Sequence, residues 1–190
     1  QYNILDKRLK TKAIGFFLNS WRDWIQSYVF TMLTQKVSGI NETTRNKIQE
    51  AVAIGLDQGL EWSEIAKLIQ EKTTDIASVY RAVMIARTET ANAVNMAKER
   101  SKDDWQRETG EQIYKLWIHR FAKEPRSWHS ALDNNVAIPE NQNFVVTNPK
   151  SNITEYMSRP HAEGASGENT IQCSCQVLYV SERFAKKLLK

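Results

Sequence analysis

Cysteine is scarce in this chain: two of its 190 residues are cysteines, at positions 173 and 175. Small secreted domains that cannot build a core are normally held by several disulfides, so this composition excludes that class. Apolar residues make up 41% of the chain. A chain of this length and apolar content suits one globular domain, or a helical domain with a smaller appendage.

Long apolar runs are also missing, because no stretch reaches 18 consecutive apolar residues. The most apolar region, residues 13–33, is interrupted by polar and charged side chains that include Arg22 and Asp23. A bilayer-spanning helix needs about 20 mainly apolar residues, so we expect no membrane segment. The first residues do not lead from a basic region into an apolar one, and we expect no signal peptide.

Neither sign of charge dominates, since the formal net charge is +4 and the small excess is spread over both halves. A dedicated DNA-binding domain normally clusters Lys and Arg on one face, so at most a weak contact with DNA is expected. The chain also has no glycine-rich phosphate loop, no G-x-S-x-G and no H-E-x-x-H. This removes the enzyme classes that depend on those motifs.

The first half of the chain has helical periodicity. A first helix is predicted over residues 6–35. A second helix should begin with Asn41 as its N-cap and close at Gly59, and Ser63 could cap a short third helix. The longest helix is predicted over residues 76–107, where alanine is frequent.

After residue 110 the pattern changes to alternation. Residues 112–121 alternate in the manner of a strand, and residues 127–132 suggest one helical turn. Residues 134–167 are rich in polar and turn-forming types, which indicates a long loop with short extended pieces. A second strand is predicted over residues 173–180, where it could pair with the first, and residues 181–189 are expected to be helical.

These elements predict an α+β fold. A mainly helical half, residues 1–108, would pack on a small antiparallel sheet with long loops, residues 109–190. We expect the two regions to form one compact unit.

Two charges on the longest predicted helix, Arg87 and Glu89, lie among apolar neighbours on opposite faces. A buried charge needs an opposite charge or several hydrogen bonds. Our hypothesis is that both residues join the helices to the second half of the chain, with Asp133 and His129 or Arg126 as partners.

His129 and Asp133 are four residues apart, so one helical turn would place them on the same face. That spacing could serve a metal or an acid–base pair. It suits equally a hydrogen bond that fixes a loop, and the sequence favours this second interpretation.

Cys173 and Cys175 would face the same way on a strand. Two thiolates with imidazole from His129 or His161 could hold zinc. The C-x-C spacing is shorter than that of common zinc sites, however, and free cysteine is often buried as an apolar residue. The sequence favours a reduced pair in the core with no cofactor, and a disulfide between the two would be strained.

Three groups of residues, taken in order, resemble one known family. The segment I-A-R-T-E at residues 85–89 is similar to the signature of Mu F-like phage head morphogenesis proteins. The K-x-W at residues 115–117 and R-x-x-H-x-x-x-D at residues 126–133 resemble that family's second motif. The R-P-H at residues 159–161 and Q-C-S-C at residues 172–175 resemble its closing segments.

This sequence departs from the family pattern at three positions. Asn134 stands where the family usually has Gly, Gln172 replaces Asn, and Ser174 replaces Arg. The resemblance covers roughly residues 38–180. The motif residues that we expect to hold the structure together are Arg87, Thr88, Glu89, Trp117, Arg126, His129, Asp133, Cys173 and Cys175.

The resemblance implies a structural minor head protein of a tailed bacteriophage rather than an enzyme. It implies a place inside the virion head after assembly in the host cytoplasm, near the portal, with a role in head assembly or DNA delivery. Its partners would be the portal protein and other head proteins, with weak contact to packaged DNA.

Two alternatives remain open. The first is a toxin-like nuclease or transferase that uses Arg87, Glu89, His129 and Asp133, since domains of this family occur joined to such effectors. It requires those four side chains to converge on an open cleft. The second is a DNA-packaging adaptor, whose DNA binding would weaken steeply as salt rises.

Overall fold

The computed structural model of the chain describes residues 37, 39–74, 76, 78–119, 126–133 and 136–188. The first predicted helix, residues 6–35, lies outside them. Three helices open the described part, and strands and short helices follow them, so the predicted α+β class is confirmed. The elements are α1 Glu42–Gln58, α2 Trp62–Lys72, α3 Val79–Thr109, β1 Ile113–Ile118, α4 Ser127–Ser130, β2 Ile138–Pro139, β3 Phe144–Asn148, β4 Ile153–Met157, α5 Gly167–Thr170, β5 Gln176–Ser181 and α6 Glu182–Leu188.

Both ends of α1 are set by local chemistry, as the sequence predicted. The Asn41 side chain accepts a hydrogen bond from the backbone N–H of Thr44, at 2.8 Å. At the other end Gly59 adopts φ +67°, a left-handed conformation that glycine tolerates without strain. The predicted N-cap and closing residue of α1 are therefore confirmed.

The start of α2 differs from the prediction. The helix begins at Trp62, so Ser63 lies inside it and does not cap it. Instead, the side chain of Glu64 accepts from the backbone N–H of Glu61, at 2.9 Å. A glutamate three residues into the helix thus does what was expected of the serine.

Helices α1, α2 and α3 share one apolar core in which small side chains allow close approach. Gly55 of α1 faces Ile65 of α2, and a Cβ built on Gly55 would lie 2.3 Å from Cγ1 of Ile65. The helices pack this closely because position 55 has no side chain. The fully or almost fully buried members of this core are Ile48, Ala51, Val52, Ile65, Ala66, Ile69, Ile76, Ala82, Ala86, Ala93 and Ala97.

We expect Gly55→Ala to lower the free energy of unfolding by about 1–2 kcal/mol. Overpacking of a core commonly costs about 1–3 kcal/mol, and the better helix propensity of alanine returns up to about 1 kcal/mol. Urea denaturation measures the difference. The control is the same substitution in an Ile65→Ala background, which removes the atoms in the way. A cost that persists in that background would show that contact with Ile65 is not the cause.

The principal sheet has three antiparallel strands in the order β2–β1–β5. Strand β1 pairs along its whole length with β5, with Leu116 opposite Leu178 and Trp117 opposite Val177. The predicted pairing of the first and last strands is therefore confirmed. Helix α6 occupies the C-terminal segment that was predicted to be helical.

A second, two-stranded sheet lies in the segment that was predicted to be mainly loop. Strands β3 and β4 form an antiparallel hairpin in which Phe144 is paired with Met157 and Val146 with Glu155. Phe144 and Val146 point into the core, whereas Val145 and Tyr156 on the other face are exposed. The prediction recognised extended pieces but missed their pairing, because the alternation is embedded in polar, turn-forming sequence.

Strand β1 is buried on both faces. On one face Trp117 belongs to a cluster with Phe144 of the hairpin and the two cysteines. On the other face Leu116 packs with Val180 and with Ala185 of α6. A strand covered on both sides carries even its polar side chains into the interior, which determines the environment of the site described below.

In the part of the chain that the structure describes, no helix combines the length and the apolar character needed to cross a bilayer.

Candidate functional site

The motif segments meet where residues 171–175, here called the cysteine loop, lie along helix α3. The backbone N–H of Gln172 donates to Thr88 Oγ1, at 2.9 Å. The amide of Gln172 donates to the Tyr80 hydroxyl, at 2.8 Å. The I-A-R-T-E segment is therefore in direct contact with the Q-C-S-C segment.

Both cysteines precede strand β5, which begins at Gln176. The prediction that they lie on the strand is wrong: Cys173 and Cys175 belong to the irregular loop before it. Gln172 has φ +56°, which lets the chain turn before the first cysteine. Hence the common direction of the two thiols comes from the loop and not from strand alternation.

Asn95 makes the most completely buried contact between α3 and this region. Its side chain has no exposed surface, and its Nδ2 donates to the carbonyl oxygens of Cys175 and Ala91, both at 3.0 Å. Its Oδ1 accepts from the backbone N–H of Val177, at 2.8 Å. One amide thus binds the loop and the start of β5 through their backbones. Sequence reasoning missed Asn95, although a polar residue in an alanine-rich stripe was a usable signal.

Arg87 joins α3 to the second half of the chain, as expected, but through a different partner. Its Nε and Nη2 donate to Ser174 Oγ, at 3.0 and 2.6 Å, and its guanidinium lies 5.9 Å from the Trp62 ring centroid. For Arg87, the predicted pairing with Asp133 is not what the structure shows, because its guanidinium binds Ser174 instead. Arg87 instead binds the residue that stands where the family usually has arginine.

Glu89 is only 4% exposed, which matches the expectation of a buried acid on this helix. It lines a cavity of about 390 Å³ beside α3, together with Arg81, Met84, Thr88 and Ile171.

Asp133 fastens the end of β1 to the turn after α4. Its Oδ2 lies 2.6 Å from His119 Nδ1 and accepts from the His119 backbone N–H, at 3.0 Å. The loop-fixing role favoured for the pair His129 and Asp133 is thus carried by Asp133 with His119. Arg126, just before α4, donates to the carbonyl of Ile171, at 2.6 Å, so it also holds the cysteine loop.

Arg159 forms a second buried connection; the sequence placed it in the R-P-H motif but gave it no structural role. It is 2% exposed and its Nε lies 2.7 Å from Glu99 Oε2 on α3. Its Nη1 donates to the carbonyls of Pro160 and His161, at 3.2 and 2.9 Å, while Nη2 contacts Met96 Sδ. The R-P-H segment is therefore held on α3 by its own arginine.

Lys115, the lysine of the K-x-W motif, is buried on β1. Its Nζ donates to the carbonyl of Ser158, at 2.7 Å, and lies 5.3 Å from the ring centroid of Phe144. Burial lowers the pKa of Lys115 to about 8, against the opposing effect of Glu140 and Glu99. The lysine has no carboxylate within ion-pair distance among the described residues, so the ammonium depends on one carbonyl and an aromatic face.

The free energy of unfolding should rise between about pH 8 and pH 10 by about 1–2 kcal/mol because of Lys115. In this range the folded chain has already lost the Lys115 proton, with its pKa near 8, while the unfolded chain still binds it. Urea denaturation of the parent protein and of Lys115→Met across this pH range separates the contribution of Lys115 from that of other titrating groups. If the free energy of unfolding changed with pH in the same way for the two proteins, the prediction would be contradicted.

His129, Cys173 and Cys175 form a buried cluster between α4 and the cysteine loop. His129 Nδ1 lies 3.5 Å from each of the two sulfur atoms. The three ligand atoms all lie within 4.8 Å of one another. Trp117 packs edge-on against His129, with ring centroids 5.2 Å apart, so the cluster has an aromatic wall.

The tautomer of His129 follows from its other neighbour. Trp128 Nε1, which can only donate, is 2.8 Å from Asn169 Oδ1, and this fixes that atom as the acceptor. His129 Nε2 is 3.1 Å from the same oxygen and must therefore donate to it. In the neutral ring the lone pair is then on Nδ1, which faces both sulfurs. The amide nitrogen of Asn169 is bound by Glu155 Oε2, at 2.8 Å.

The two thiols share their protonation. The hydrogen bond from Cys175, together with His129 and His161, lowers the pKa of Cys173, and burial opposes this effect. The same contact with Cys173, followed by burial, raises the pKa of Cys175. One thiolate beside one thiol is the arrangement that this geometry favours when protons alone occupy the cluster.

His161, from the R-P-H segment, lies on the other side of Cys173. It adopts φ +61°, and its Nε2 is 3.0 Å from the carbonyl oxygen of Cys173. Because a carbonyl only accepts, Nε2 carries the proton. Its Nδ1 is buried and has no hydrogen-bond partner among the described residues. Thus all four residues named as zinc candidates from the sequence lie in one region, three of them in direct contact.

Comparison with known families decides the classification: the family described as phage Mu protein F like protein matches residues 46–178. The chain belongs to the phage Mu F-like family. The match runs from α1 into β5 and includes every motif segment described above. No curated protein and no solved structure matched the chain.

Membership in the Mu F-like family confirms the resemblance drawn from the motifs. The chain is a bacteriophage head morphogenesis protein, and it acts together with other components of the phage head. In this Mu F-like chain the motif residues hold α3, β1, α4 and the cysteine loop together.

Proposed function

We propose that this Mu F-like protein is a minor head protein that acts near the portal, inside the procapsid, during head assembly or DNA delivery. The observation that carries the proposal is the family match over residues 46–178, which includes all of the motif segments. The proposed partners are the portal protein and other head proteins. The small and evenly spread net charge of +4 supports at most a weak contact with packaged DNA.

We also propose that the role is structural and not enzymatic. Three of the four side chains that an enzyme would use are engaged with different groups: Arg87 with Ser174, His129 with the cysteines, and Asp133 with His119. Glu89 lines a cavity beside α3. Contacts of this kind support a role in holding the fold.

The test is co-expression of the chain with the portal and coat proteins encoded beside it, followed by purification of the heads and quantification of the chain in them. A small, reproducible copy number per head that is lost when the portal is omitted is the expected result. A protein of similar size and net charge, co-expressed in the same way, controls for passive enclosure.

Absence of the chain from purified heads, or a copy number equal to that of the enclosed control, would contradict the proposal. Nuclease and transferase assays on the purified chain then test the enzyme alternative. DNA binding that falls steeply with salt would favour the packaging adaptor instead.

A further inference from the structure

We propose that the chain binds one Zn²⁺ ion through His129 Nδ1, Cys173 Sγ and Cys175 Sγ, with His161 Nδ1 as the fourth ligand. The ion would join α4, the cysteine loop and the R-P-H segment, which no covalent crosslink connects. Its role would be structural, since all four residues are buried.

The spacing of the ligand atoms fits tetrahedral zinc. With Zn–S near 2.3 Å, Zn–N near 2.0–2.1 Å and a tetrahedral angle, a nitrogen and a sulfur ligand lie about 3.5–3.6 Å apart. His129 Nδ1 is 3.5 Å from both sulfurs. The same nitrogen therefore lies, from both sulfur atoms at once, at the distance expected between two ligands of one zinc ion. A single S–H···N hydrogen bond would require that distance to only one of the sulfurs.

The surroundings of His129 are those of a metal-binding histidine. Such a histidine normally donates its second ring N–H to an oxygen, which fixes the tautomer and orients the ring. Here Asn169 Oδ1 takes that role, and Glu155 in turn binds the Asn169 amide. Trp128 holds the same oxygen in place, so the lone pair of Nδ1 is directed at the sulfurs before any ion arrives.

His161 supplies the remaining donor. Its Nε2–H is taken by the Cys173 carbonyl, and its Nδ1 is a buried nitrogen with no hydrogen-bond partner among the described residues. It lies outside the group of three whose ligand atoms are within 4.8 Å of one another, so a shift of the ring is needed for it to bind. A coordinated ion would satisfy this nitrogen.

Charge balance is compatible with burial of the ion. The three donors in contact lie among apolar and aromatic side chains that include Trp117, where an unbalanced charge would be costly. Zn²⁺ with two thiolates and two neutral imidazoles has no net charge. Zinc binds thiolates and so displaces thiol protons, which means that the affinity should fall as the pH is lowered.

The experiment uses the full chain purified under reducing conditions without added chelator. Elemental analysis is expected to find one zinc per chain, and removal by a chelator should lower the melting temperature until Zn²⁺ is added back. Replacement with Co²⁺ should give the visible bands of a tetrahedral site together with a thiolate-to-cobalt charge-transfer band. These readouts need no substitution and therefore do not depend on a variant that fails to fold.

Variants assign the ligands. Cys173→Ser and Cys175→Ser should abolish stoichiometric binding, and Asn169→Ala should weaken it by about 10–100-fold through the orientation of His129. His119→Gln is the matched control, since His119 is the one histidine of the three that is not a proposed ligand and is paired with Asp133. This variant should retain zinc.

Unchanged cobalt bands in His161→Gln would overturn the assignment of the fourth ligand. A zinc-free chain that neither binds added Zn²⁺ nor gains stability from it, or one that forms a Cys173–Cys175 disulfide instead, would overturn the site.

Discussion

Arg159→Ala is expected to lower the free energy of unfolding by about 2–4 kcal/mol, mainly because two buried carbonyl groups lose their donor. The ion pair adds less, since the Glu99 side chain is 31% exposed. The substitution removes the partner of Glu99 and leaves the carbonyls of Pro160 and His161 without their donor. It also releases the R-P-H segment from α3. Because Arg159 is almost completely buried, water does not take its place at the two carbonyls without a local rearrangement.

Urea denaturation with a common slope measures this loss. Arg107→Ala is the matched control, because Arg107 also forms an ion pair, with Asp104, but its side chain is 64% exposed. We expect this substitution to change the free energy of unfolding by less than about 0.5 kcal/mol. Arg159→Lys keeps the charge but not the planar set of donors, so it should recover only part of the loss. Equal effects of the two alanine variants would show that burial of Arg159 contributes nothing.

Asn95→Ala should cost about 2–4 kcal/mol. The substitution leaves two buried backbone groups unpaired, the carbonyl of Cys175 and the N–H of Val177, and each such group costs about 1–3 kcal/mol. Alanine improves the helix by about 0.5 kcal/mol, which offsets only a small part. The loss should appear as a lower urea midpoint and as faster hydrogen exchange of the Val177 amide.

Two variants separate the buried contacts of Asn95 from helix propensity. Asn46→Ala, at an exposed position of α1, should be neutral or slightly stabilising. Asn95→Asp keeps the acceptor for Val177 but loses the donor to Cys175, and it places a charge in the interior, so it should be at least as costly as alanine. An Asn95→Ala protein as stable as the parent would refute the account.

Features set by neighbouring residues could be predicted from the sequence. Asn41 and Gly59 delimit α1 because caps act within one turn of the chain. The alternation of β1 and the apolar pattern of β5 were sufficient to predict their pairing. Ser63 failed as a cap because two acidic residues beside it supplied a competing local motif, which a closer reading of the same residues would have found.

Features that depend on distant residues could not be predicted. Arg87 requires a partner, but nothing in its own helix indicates Ser174, which is 87 residues away. The residue types at positions 129, 161, 173 and 175 made them zinc candidates, whereas their convergence depends on the path of a loop. Asn95 stood out only as a polar residue in an alanine-rich stripe, and Arg159 only as part of the R-P-H motif. Nothing near them in the sequence indicates the distant groups that they bind.

The contacts between α3 and the cysteine loop also set the order in which the chain can fold during synthesis. Asn95 meets Cys175 only after another 80 residues have been made. At about 5–20 residues per second this interval is roughly 4–16 s. For that time Asn95 and Arg87 are without the partners that they bind in the folded chain. A nascent chain that ends before the cysteine loop therefore cannot form either contact.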